Sequence, residues 1–274
     1  MRAFRIITVG LVLLLVVGWS GFRVPTRPLA EAARAPVDPP TIALPDGLPA
    51  PVERFYREVY GGEVPVIDSA IISGRGTMRV NGLTLPVRWR FIHETGRDYR
   101  HHIEVTWFGA RVLTIHETFL DGSARLELPF GVAEGPEVDQ GANLALWAES
   151  IWMPAVWITD PQARWEPVDD HTALLYVPGP DGPGQDGEEV FVARFSPDTG
   201  LITLFESMRF KGEGASEPTL WLNEAVTWGD LDGRLLPIET TVTWQDDGAP
   251  WAFLTTGDVV YNADLDGYLD GTGP

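Results

Sequence analysis

From Ser69 to Val260 the chain keeps a period of two, and it breaks that period once. Val87, Trp89 and Phe91 alternate with Arg88 and Arg90; Leu113, Ile115 and Phe119 with Thr114, His116 and Thr118; Leu126, Leu128 and Phe130 with Arg125 and Glu127. Strict alternation puts one side-chain set on each face of a strand, so each segment reads as a half-buried strand. The connections are short and carry turn residues: Asn81-Gly82, Thr95-Gly96-Arg97-Asp98, Phe108-Gly109 and Asp121-Gly122. Tight turns between successive strands predict an antiparallel meander.

The break is Asp139–Trp157, DQGANLALWAESIWMPAVW. Leu144, Trp147, Ala148, Ile151 and Ala155 fall on one helical stripe. Ala145, Leu146, Trp152 and Met153 make the opposite side apolar too, and a helix apolar nearly all round is covered on most sides. Asp139 reads as the N-cap, and Pro154 disfavours α geometry at Met153. That gives a helix of about fourteen residues, roughly 21 Å long. Glu149 is its anomaly. One reading is a carboxylate facing a cavity with an arginine from a strand. The other, the ordinary fate of glutamates, places it at the helix's one wet edge with Asn143 and Ser150.

After this helix the meander resumes over Ala163–Val168, Thr172–Val177, Val190–Phe195, Ile202–Phe210, Leu222–Leu231, Arg234–Trp244 and Trp251–Val260. Residues 178–188, PGPDGPGQDGE, read as a mobile polar loop. The sum is ten or eleven strands and two helices. The expected fold is mainly β, an α+β arrangement in which a long antiparallel meander curves into a half-barrel around the apolar helix.

Residues 1–22 place two arginines before an uncharged apolar run from Ile6 to Phe22. Such a run is a membrane anchor or a signal sequence. The absence of a small-x-small cleavage site favours an uncleaved anchor, a single pass through the cell membrane at residues 6–22 with the C-terminal domain extracytoplasmic. Residues 23–46 are a Pro/Ala-rich linker, 47–262 a single β-rich domain and 263–274 an acidic tail. Leu48–Tyr60 is a short amphipathic helix with Pro51 in its first turn and Val52, Phe55, Tyr56 and Val59 on its apolar stripe.

Several function classes are excluded. A formal charge of −19 argues against nucleic-acid binding, which needs a basic face. No cysteine is present, so there is no disulfide, thiol nucleophile or lipidated N-terminal cysteine. The histidines (His93, His101, His102, His116 and His171) show no H-x-x-x-H or H-E-x-x-H spacing, so no metal site is selected and a zinc site would have to assemble across strands. Surface or cross-strand hydrogen bonding is their expected role. No G-x-S-x-G elbow marks a nucleophile, Ser73 lies at a strand entry, and no cofactor motif is present. The tail around Asp264, Asp266 and Asp270 starts like a calcium loop but has Gly273 where the bidentate glutamate belongs, so it reads as a solvated tail. Arg88 and Arg90 share a sheet face; they are expected to look outward, to solvent or to Glu127, the alternative being anion donors if the sheet opens toward a cavity on that face.

Four segments carry a resemblance. Leu48-Pro49-x-Pro51-Val52-x-Arg54-Phe55, Trp147-Ala148-Glu149-Ser150-Ile151-Trp152-Met153-Pro154, Trp165-Glu166-Pro167-Val168-Asp169-Asp170, and Leu236-Pro237-Ile238-Glu239 with Trp244 resemble, in order, an uncharacterised bacterial family of membrane-anchored or secreted proteins, a domain of unknown function. The match spans about residues 48–261. The family pattern has an arginine shortly before the central tryptophan; Ala145-Leu146 stand there in this chain, which argues against a fixed Arg–Glu pair. The fold implied is similar to lipoprotein-carrier half-barrels, in which a curved sheet holds helices and an apolar ligand. The expectation is therefore a membrane-tethered domain that binds a lipid or other apolar molecule through Trp147, Glu149, Trp152 and Met153, with no catalytic residue assigned. The alternatives are a structural envelope module without ligand and a hydrolase using Glu149.

Overall fold

The structure, a computed structural model, describes residues 2–33, 39–80, 82–179, 187–269, 271 and 273–274, with the side chains of residues 2 and 3 excepted. Asn81 of the expected Asn-Gly turn, most of the 178–188 loop, part of the 23–46 linker and Asp270 of the tail lie outside the described residues. The N-terminal helix α1 spans Arg2–Gly21. A short pair, β1 (Thr41–Ala43) and β2 (Glu63–Pro65), brackets α2 (Ala50–Tyr60), which has Pro51 in its first turn as expected.

The first meander runs β3 (Ser69–Val80), β4 (Leu83–Glu94), β5 (Asp98–Trp107), β6 (Ala110–Leu120), β7 (Ser123–Leu128) and β8 (Gly131–Ala133). Helix α3 (Pro136–Glu149), a 3-10 turn at Ser150–Trp152 and the single turn α4 (Val156–Thr159) follow. The second meander runs β9 (Arg164–Asp169), β10 (Thr172–Pro178), β11 (Glu188–Phe195), β12 (Ile202–Arg209), β13 (Thr219–Leu231), β14 (Arg234–Trp244) and β15 (Ala252–Tyr261). All thirteen strands from β3 to β15 form one antiparallel sheet, in the order β8-β7-β6-β5-β4-β3-β15-β14-β13-β12-β11-β10-β9. The first strand of one meander therefore pairs with the last strand of the other, from Ala70↔Tyr261 to Met78↔Ala252. The two free edges, β8 and β9, are the ends that α3 joins, so the helix crosses the concave face from edge to edge. This is the mainly β, curved antiparallel arrangement around an apolar helix that alternation and the central break predict, with more strands than the sequence count.

The helix itself begins earlier than expected. Pro136 opens α3 after Gly135 at φ 113°, and Asp139 lies inside the first turn. Its carboxylate accepts from the Ala124 amide at 2.6 Å and ties the helix to β7 instead of capping it. The α geometry ends at Glu149, before the residue that precedes Pro154. Leu144, Trp147, Ala148, Ile151 and Ala155 are all buried, as the stripe requires. Large apolar side chains buried this completely contribute about 1.5–3 kcal/mol each. Helix α2 seals the core under the C-terminal meander: Phe55 packs 6.0 Å from Phe195 and 5.8 Å from Trp228, and the Tyr56 hydroxyl donates to the Pro154 carbonyl at 2.7 Å.

The outer face at the centre of the sheet is not solvated. Ile71, Ile92 and Val260 form a second small core with Ala32 and Ala263, backed by Leu265, Tyr268 and Leu269. Arg88 and Arg90 do point to this outer face, but neither reaches Glu127. Arg88 pairs with Glu104 at 2.5 Å. Arg90 is buried, donating to Ser73 Oγ at 2.9 Å and to the Ala30 carbonyl. The C-terminal segment, expected as a solvated acidic tail, packs here through Tyr268 and Leu269, and Arg100 donates to the Tyr268 and Gly273 carbonyls at 3.0 and 2.6 Å. Asp264 and Asp266 remain exposed, and among the described residues they form no cation-holding cluster.

Candidate functional site

The site is built where the C-terminal end of α3 meets β4, β5 and β6. Strand register sets it. Phe91 pairs with His101 across β4–β5, and His101 pairs with Glu117 across β5–β6. His93 lies two residues from Phe91 and so shares its inward face. Glu149, the last residue of α3, reaches down onto this patch. His101 Nε2 lies 2.8 Å from Glu149 Oε2, and His101 Nδ1 lies 3.3 Å from Glu117 Oε2. His93 Nε2 is 3.0 Å from the same Glu149 oxygen, but its direction misses it, so both ring nitrogens of this fully buried histidine lack a hydrogen-bond partner. One ligand-type atom from each of His93, His101 and Glu149 falls within 4.8 Å of the others.

The electrostatics follow from burial and pairing. Burial pulls the His101 imidazole down, but the Glu149 and Glu117 carboxylates outweigh it and hold its pKa at about 9. Burial pushes Glu149 up, and the two histidines outweigh that, holding it at about 2. Glu117 is likewise kept below the usual carboxylate range, because His101 outweighs its burial. His93, whose desolvation dominates, is lowered and stays neutral. At neutral pH the patch is thus one imidazolium between two carboxylates, beside one neutral imidazole.

These groups form one wall of a cavity of about 120 Å³ between α3 and the strands β12 to β15. Glu149, His101 and Glu117 line it, with Phe91, Trp152 and Phe205 among its apolar walls. Five buried polar atoms without partners belong to residues lining the same space: Arg209 Nε, Trp221 Nε1, Asn223 Nδ2, Thr240 Oγ1 and Trp251 Nε1. Arg209 lies with its guanidinium 4.3 Å over the Trp221 ring, an attractive cation–π geometry. A side chain at Gly141 of α3 would crowd it, since a Cβ there would sit 3.1 Å from Arg209 Nε.

The four residues singled out from the sequence divide. Glu149 and Trp152 line the cavity; Trp147 and Met153 are buried and do not line it. Trp152 spends its N–H on Thr256 Oγ1 at 2.9 Å and the Pro237 carbonyl at 3.2 Å. Glu149 is not at a wet helix edge: Asn143 and Ser150 are themselves buried, and its side chain is only 16 % exposed. Nor is its partner an arginine; histidines from neighbouring strands take that place. Of the histidines, expected at the surface or in cross-strand hydrogen bonds, His171 is exposed and His101 bonds across the strands to Glu117; the fully buried His93 fits neither role. His93, His101, Glu117, Arg209 and Trp221 were missed. Parity held the signal for three of them, since His93 shares the period-two set of Val87, Trp89 and Phe91, His101 that of Tyr99, Ile103 and Val105, and Glu117 that of Leu113, Ile115 and Phe119.

Fold and site define a class: an open antiparallel half-barrel that encloses its own apolar helix, with a partly polar cavity beside that helix. One N-terminal stretch, Phe4–Gly21, is long and apolar enough to cross a membrane by length and composition. The chain belongs to a family of unknown function, DUF6544, whose sequence pattern matches residues 39–256. Comparison with curated proteins finds no match. Among solved structures the chain is similar to a DUF1329 family protein from Desulfovibrio piger (15 % identity, 74 % of this chain and 90 % of that one, TM-score 0.43). It is also similar to a LolA superfamily protein from Nitrosomonas europaea (11 %, 80 % and 96 %, 0.45) and to a domain named for outer membrane lipoprotein sorting from Vibrio parahaemolyticus (10 %, 78 % and 90 %, 0.40). Similarity at these scores carries no argument about function.

Proposed function

We propose that the protein is a binding protein held at the cell membrane by residues 6–22, with its β domain on the extracytoplasmic side, and that the cavity beside α3 holds an apolar or amphipathic small molecule. The observation that supports this is the lining: apolar walls combined with five buried, unpartnered polar atoms, four of them nitrogens that bear hydrogen. Leaving such groups unsatisfied costs about 1–3 kcal/mol each, which a ligand with acceptor atoms would recover. Concave apolar sites with a few convergent polar groups are the common geometry of small-molecule binding. The volume is on the scale of the ~150 Å³ cavities that admit benzene-sized guests. It suits a headgroup or ring, with any longer chain leaving through the open side. Glu149 and Trp152 contact the ligand in this reading, while Trp147 and Met153 shape the core behind it.

The test is native mass spectrometry with lipid extraction on the full chain in detergent, followed by titration with a dansyl fatty acid. A bound amphipathic molecule, displaced by the probe and lost in Arg209→Met and in the cavity-filling Val242→Trp, supports the reading. A clean unliganded mass together with no saturable probe binding rejects it and favours a structural module with a filled core.

A further inference from the structure

The geometry points to a divalent transition-metal site, of the zinc class, formed by His93, His101 and Glu149. His93 comes from β4, His101 from β5 and Glu149 from the C-terminal end of α3, so three separate elements converge on one point. Two imidazoles and one carboxylate are a donor set that suits first-row divalent ions, zinc among them.

Three further observations support an ion over a simple hydrogen-bond cluster. First, His93 is completely buried, and neither ring nitrogen has a partner, though Nε2 sits 3.0 Å from Glu149 Oε2. Nε2 meets only an ill-directed carboxylate and Nδ1 meets none, a cost that the fold maintains, and an ion on Nε2 would give that nitrogen a well-directed partner. Second, the two histidine–carboxylate spacings are close to those of a loaded site, and all three donor atoms lie within 4.8 Å of one another. Ligands about 2.0–2.1 Å from a tetrahedral ion lie about 3.3 Å apart. The observed 2.8 and 3.0 Å need the carboxylate to withdraw by only a few tenths of an ångström. Third, the other nitrogen of His101 faces Glu117 Oε2 at 3.3 Å. An ion would displace the Nε2 proton of His101, and the carboxylate behind the ring then fixes the tautomer that offers Nε2, a common outer-sphere arrangement. Glu117 is thus a positioning residue.

Three protein ligands leave a position open. His101 and Glu149 line the cavity whereas His93 does not, so that position faces the cavity, where water or an acceptor atom of a bound molecule can occupy it. The assignment does not depend on the amphipathic ligand, because all three protein donors belong to this chain and water suffices at the open position.

The experiment uses the full chain in detergent, stripped with chelator and titrated with Co²⁺ and then Zn²⁺. The expected result is one Co²⁺ per chain with the visible absorption of a four- or five-coordinate ion, displaced by equimolar Zn²⁺. His93→Gln and Glu149→Gln should abolish that signal, with near-UV circular dichroism checking that they fold. Glu117→Gln, which keeps all three ligands, should weaken binding by about 10–100-fold. A wild-type chain that gives no saturable Co²⁺ spectrum overturns the assignment whatever the variants do. So does a spectrum that His93→Gln and Glu149→Gln leave unchanged.

Discussion

The pairing of β3 with β15 joins the two halves of the sheet, and Gly74 sits at one of its tight points. Gly74 is opposite Trp89 on one side and Thr256 on the other. A Cβ built on Gly74 would lie 2.2 Å from the Thr255 carbonyl oxygen and 2.5 Å from Cζ2 of Trp89. Ordinary carbon–oxygen contact begins near 3.3 Å, so Gly74→Ala forces a displacement of about 1 Å. Neither neighbour yields easily. The carbonyl belongs to the strand backbone. The Trp89 indole is fully buried, donates to the Arg75 carbonyl at 3.2 Å, and packs 4.6 Å from the Phe91 ring and 5.5 Å from that of Trp152. Overpacking of this kind costs about 1–3 kcal/mol, and two rigid neighbours place it at the upper end. The reduced freedom of the unfolded chain returns about 0.4–1 kcal/mol, leaving a net loss of about 2 kcal/mol. For a domain of this size that lowers Tm by about 4–8 °C. The assay is a near-UV circular dichroism melt of the full chain in detergent, where Trp89 contributes to the signal. Gly62→Ala is the control, because Gly62 is exposed and a Cβ there meets nothing within 4 Å. A Gly74→Ala melt that coincides with wild type, or an equal drop in the control, would refute the reasoning.

Three other outcomes follow from contacts described above. Glu104 is buried between Arg88 and His102; burial pushes its pKa up, but hydrogen bonds from His102 and Arg88 outweigh it and hold it below the usual range. A depressed carboxylate contributes stability that is present above the ordinary carboxylate range and lost as pH falls through the folded value, so urea midpoints of wild type and Glu104→Gln should converge between about pH 5 and pH 3; curves that stay parallel sink the idea. Trp152→Phe removes the indole N–H that donates to Thr256 Oγ1 and the Pro237 carbonyl, and should cost about 1–3 kcal/mol in urea unfolding; a loss near zero would show the indole N–H to be dispensable. A reporter fused after Pro274 that works only outside the cytoplasm should be active, and activity confined to a cytoplasmic reporter would reject the proposed orientation.

The parts of this fold that were legible in the sequence are those written into neighbouring residues. Alternation at 87–91 and 113–119 marks strands because a side chain's face depends only on its parity. The apolar stripe through Leu144, Trp147 and Ile151 marks a buried helix for the same local reason. What parity does not specify is which strands meet at long range. Ala70 and Tyr261 are neighbours in space, and nothing in either segment names the other. The acidic-looking tail illustrates the consequence: Tyr268 and Leu269 read as incidental in a solvated stretch until the sheet closes and leaves an apolar outer face beside them.

The histidine cluster fails to show for a related reason, and the failure says something about the site. Motif spacing finds metal or acid–base groups when one element carries several of them, as in two histidines one helical turn apart. Here each element supplies one group, so the pattern exists only after β4, β5 and α3 have packed. The trace that does survive is a polar residue inside an apolar parity set: His101 between Tyr99 and Ile103, Glu117 between Ile115 and Phe119. Each position alone would bury an uncompensated polar or charged group, which folding disfavours by several kcal/mol. Their cross-strand register makes them mutual partners, and Glu149 completes the set from the helix. The docking of α3 is therefore not set by apolar area alone. Sliding the helix by one residue would leave the stripe mostly buried but would part Glu149 from His101, so the cluster fixes the register of the helix on the sheet. The same register brings Trp152 against Trp89 and Phe91 and sets the wall of the cavity.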